Sequence, residues 1–79
     1  MKIIYSPHAE LKIKSRKIDK RLIESAIQNP DRKTMGKLGR TIFEKQISTT
    51  LKVRVIGVEE NEDILVVTSY KTRVGRYDY

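Results

Sequence analysis

Lys52 and Arg54 flank Val53 in the run Leu51-Lys52-Val53-Arg54-Val55. Residues two apart in an extended strand share a face and stand roughly 7 Å apart. The two cations therefore face one way while Leu51, Val53 and Val55 face the other, a spacing that suits a bridging phosphate. Lys71, Arg73 and Arg76 follow towards the end of the chain, and Tyr70, Tyr77 and Tyr79 lie among them to stack on bases or donate a proton. These residue types fit cleavage of RNA through its own 2′-hydroxyl. That reaction needs an acceptor for the 2′ proton, cations for the in-line phosphorane and a donor for the departing 5′ oxygen. The same residues also fit a solvated strand face, with Tyr77 sealing the sheet edge and Tyr70 in the core.

His8 is the one histidine. The sequence places it in the first turn of a helix, where the positive end of the dipole opposes a charged ring and suits a base. A capping or packing histidine is the alternative. A lone histidine excludes a two-histidine ribonuclease mechanism, and without cysteine a tight zinc site has too few ligands. Gly36 and Gly39 are not followed by the Lys-Ser/Thr pair of a phosphate-binding loop. No metal and no cofactor are expected.

The charge balance points to a polyanion. Seventeen Lys and Arg face ten Asp and Glu, a formal net charge of +7 in 79 residues. Glu59, Glu60, Glu62 and Asp63 are clustered, so the rest of the surface is more basic than the net figure. Such a field attracts nucleic acid or acidic proteins, though it also serves solubility alone. Without cysteine, a domain this short is expected in the cytoplasm, since secreted domains of this size usually need disulfides. No apolar run reaches membrane-spanning length, so no membrane partner is expected.

The elements that must position these residues read as one domain over 1–79. Residues 2–5 form a short strand. Ser6 caps and Pro7 opens a helix running to about Ser15, with Ala9 and Ile13 on one face and Leu11 beside them. Asp19 caps a second helix in which Ile18 staples against Ile23, and Leu22, Ile23, Ala26 and Ile27 form the apolar stripe, until Asn29-Pro30 stops it. Residues 31–39 read as a basic loop. Strands follow over 40–48, 50–59 and 64–72, the last two joined by an acidic turn at 60–63. Ile64-Leu65-Val66-Val67 is apolar on both faces, which marks a central strand. The expected class is α+β: a strand, two helices, then a three-stranded antiparallel meander, with the helices on one face of the sheet.

Tyr5-Ser6-Pro7-His8-Ala9, Arg16-Lys17-Ile18 and Ala26-Ile27 before Asn29-Pro30, together with Val66-Val67-Thr68-Ser69-Tyr70, resemble a bacterial and archaeal family of small proteins, domain-of-unknown-function family 4258. The resemblance implies a fold similar to the RelE/ParE-like toxins. Members of that group that cut messenger RNA use cations on the sheet and often a tyrosine near the C terminus. By that resemblance Arg54, Tyr77 and His8 are the candidate catalytic residues, and Lys52, Arg16, Lys71, Arg73 and Arg76 would bind RNA. The implied protein is the toxin of a toxin–antitoxin system, a metal-independent RNA endonuclease acting on RNA or ribosome-bound messenger RNA. It would be a monomer or a heteromer with an acidic antitoxin. A non-catalytic RNA- or DNA-binding module, and a ParE-like toxin that inhibits a protein target, are the alternatives.

Overall fold

The computed structural model describes residues 1–74. The candidate site residues Arg76 and Tyr77, and Tyr79 with them, lie outside the described residues. The chain runs β1 (Ile3–Tyr5), α1 (Pro7–Arg16), α2 (Lys20–Gln28), β2 (Arg32–Met35), a 3₁₀ turn (Lys37–Gly39), β3 (Thr41–Gln46), β4 (Leu51–Glu60) and β5 (Asp63–Arg73).

Local signals account for the helices. The Ser6 hydroxyl accepts from the Ala9 amide at 3.0 Å, and Pro7 takes the first helical position, where no amide donor is needed. Lys17 ends α1 in the left-handed conformation (φ 54°), and the Ile18 amide returns to the Ile13 carbonyl at 3.0 Å. Asp19 caps α2 by accepting from the Arg21 amide at 2.9 Å. Ile23, Ala26 and Ile27 bury one stripe of α2, while α1 buries only Ala9 and Ile13. Leu11, expected beside that pair, is exposed instead. Two residues of helix turn it about 200° away from each of them.

The sheet has five strands in the order β1-β5-β4-β3-β2, with β1 parallel to β5 and every other pair antiparallel. This corrects two expectations. The stretch 31–39 is not all loop, because Arg32–Met35 pairs with 41–44 as an edge strand. The sheet is therefore wider than a strand plus a three-stranded meander, although β3, β4 and β5 do form that meander. Arg-Lys-Thr-Met lacks apolar alternation because an edge strand buries little, and its partner supplies the order. β5 is an inner strand, as its apolar run predicts.

Phe43, Val53, Val55, Ile64 and Val66 from one sheet face join Ala9, Ile13, Ile18, Ile23, Ala26 and Ile27 in a single core. Full burial of each large apolar side chain contributes about 1.5–3 kcal/mol, which binds both helices to that face. Opposite Ile56 and Gly57 the register shifts, with Ile56 facing Thr68 and Gly57 facing Val66. A Cβ on Gly57 would lie 2.9 Å from the Leu65 carbonyl oxygen, so this close approach requires glycine. Among the described residues no helix is long and apolar enough to cross a membrane.

Candidate functional site

On the sheet face away from the helices, cross-strand register sets Arg32, Glu44, Arg54 and Tyr70 in one row. Lys52 stands in the next row, between Gln46 and Thr72. Lys52 and Arg54 thus share a face, as the alternation predicts. The space between them is not open. Glu44 Oε2 accepts from Arg54 Nε at 2.6 Å, also meets Arg54 Nη2, and lies 3.4 Å from Lys52 Nζ. The side chains of Glu44 and Lys52 are each 8% exposed, and that of Arg54 22%. The expectation of two cations presented to a phosphate is corrected here: their own neighbour occupies the anion position.

Arg54 Nη1 donates to the Tyr70 hydroxyl at 3.0 Å, and the guanidinium carbon lies 5.7 Å from the Tyr70 ring centre. Burial pulls the Arg54 pKa down, but the hydrogen bonds and charges of Tyr70 and Glu44 outweigh it and raise it overall. Tyr70 is half-buried and hydrogen-bonded on the open face, so it is not the core residue the sequence suggests. Glu44 is the residue of this cluster that sequence reasoning misses. Its one local signal is an acid alternating with Phe43 on a strand, and its meeting with Arg54 depends on the β3–β4 register.

A second set gathers where α1 ends against β5. β1 covers only residues 64–66 of β5, so the strand beyond is an open edge. The Ser6 hydroxyl donates to the Val67 carbonyl at 3.4 Å, and Arg16 Nη1 donates to the Ser69 carbonyl at 2.8 Å. Arg16, Ile18, Tyr70 and Lys71 line a shallow cleft there. Lys71 faces Val53 and Arg73 faces Leu51 across the ladder, which puts both on the helix side of the sheet and not beside Lys52 and Arg54. Arg16, Lys71 and Arg73 are exposed.

His8 does not join either set. It is exposed in the first turn of α1, eight residues before Arg16 and so about 12 Å away along the helix. It also lies on the helix side, whereas Glu44 and Arg54 are on the other. Among the described residues no three acids or histidines converge as metal ligands. No family model, curated protein or solved structure matches the chain.

Proposed function

We propose that this chain is a RelE-like protein of the cytoplasm that grips RNA by its phosphate backbone, as the toxin of a toxin–antitoxin pair with an acidic antitoxin. The observation that supports it is a row of exposed cations at the open edge of β5: Arg16 and Lys71 share a cleft with Tyr70, Arg73 follows two residues after Lys71 on the same strand face, and none of the three has an acidic partner among the described residues. Cations in such a rim release counterions when they meet phosphates. Each contact adds about −0.7 to the slope of log K against log salt for a single strand, so three contacts predict a slope of about −2.

The test is fluorescence anisotropy with single-stranded RNA over a salt series. Removing all three cations by alanine should flatten the slope by about two. No binding by the wild-type protein at physiological salt would sink the proposal and favour a ParE-like action on a protein target. Endonuclease activity is a second reading, favoured by one observation: Glu44, Arg54 and Tyr70 put a carboxylate, a guanidinium and a phenol in hydrogen-bond contact. Those groups are the types needed to accept the 2′ proton, hold the phosphorane and protonate the 5′ oxygen, and this reading requires the phosphate to displace Glu44 from Arg54. RNA incubated with protein in chelator, with and without ribosomes, tests it beside Arg54→Ala and Tyr70→Phe. Intact RNA in every case removes cleavage and leaves binding standing.

A further inference from the structure

The open face of the sheet carries an apolar strip separate from the cation rim. Ile4, Leu65 and Val58 stand in register on β1, β5 and β4, and Ile56 and Ile42 continue the strip onto β3. Leu38 ends it on the β2–β3 turn, 87% exposed. Both helices pack on the opposite face, so the strip is solvent-facing in a single chain.

Its two sides carry opposite charge. Glu60 and Asp63 line the surface with Ile4 and Leu65, and Glu62 is in the same turn. Lys37 and Arg40 line the surface with Leu38, Ile42 and Ile56. Lys37, Arg40, Glu60 and Glu62 make no ion pair among the described residues, while Glu59 is taken up by Lys33 at 3.3 Å. The two charged turns lie at the same end of the strands, because β3 and β4 are antiparallel, and are separated laterally across the sheet.

A partner of one sign is attracted at one side of this strip and repelled at the other. A second copy is not. Rotation about a two-fold axis parallel to the strands lays the acidic side of each copy over the basic side of the other, with apolar residues between. We propose that this face is the interface of a homodimer, packed sheet on sheet with the strands nearly aligned. Arg16, Lys71 and Arg73 lie on the helix side and stay outside it, so the proposal does not depend on RNA binding.

Sedimentation velocity over the micromolar range tests it. The wild-type protein should pass from 9.2 kDa to twice that mass as concentration rises. Leu38→Asp, at an exposed position that folding does not need, should weaken association about tenfold, the effect of roughly 1.4 kcal/mol. Variant K37E/R40E and variant E60K/E62K should each be monomeric, because like charges then meet. Mixed together they should form a heterodimer, since both contacts regain opposite signs. A wild-type chain that stays monomeric throughout, or a mixture that stays monomeric while the wild type dimerises, overturns the proposal. Binding of an acidic peptide at the same face with no self-association overturns it too, and assigns the strip to another class of partner.

Discussion

Replacing Glu44 by glutamine keeps its shape and removes the charge that holds Lys52 and Arg54. Taking one partner from a fully buried ion pair costs about 3–5 kcal/mol, because the remaining charge is left uncompensated. Arg54 is partly exposed at 22%, so it regains some water, and it keeps the Tyr70 hydroxyl, which brings the cost below that of a fully buried pair. The expected loss is therefore about 2–3 kcal/mol. Against a total of about 4–12 kcal/mol for a domain of this size, that is a large fraction. It corresponds to a fall in Tm of about 10–20 °C. Urea unfolding followed by circular dichroism measures the loss, with the slope m unchanged. In an Arg54→Met background the same substitution should cost less, because the guanidinium that Glu44 accepts from is already gone. A loss below about 0.5 kcal/mol in the wild-type background would match a solvated surface pair and refute the buried cluster.

Gly57→Ala should destabilise by about 1–3 kcal/mol in the same assay, because its Cβ would meet the Leu65 carbonyl at 2.9 Å and Ile64 Cγ2 at 3.1 Å. Ser6→Ala should cost about 1 kcal/mol through the lost cap of α1. Tyr5 is held at a pKa of about 12 rather than 10.0, by burial first and then by Glu24 and Glu10. The folded state thus keeps a proton that the unfolded state releases, so stability present below pH 10.0 should decline as pH rises towards about 12. Its hydroxyl is buried without a hydrogen-bond partner among the described residues, so Tyr5→Phe should remove that decline without loss at neutral pH, read by unfolding at several pH values.

Both helices, their caps at Ser6 and Asp19, the face-sharing of Lys52 and Arg54 and the inner position of β5 were legible in the sequence. Each depends on signals within a few residues: a hydroxyl or carboxylate before a helical stripe, a two-residue alternation, an apolar run. Only the tertiary structure decided that Arg32–Met35 is a strand, that β1 runs parallel to β5, that Glu44 lies between the two cations, and that His8 is remote from them. Those outcomes depend on which distant strands pair and in what register. A single-residue change of register would turn Glu44 to the other face, and nothing near Glu44 in the chain specifies its neighbours.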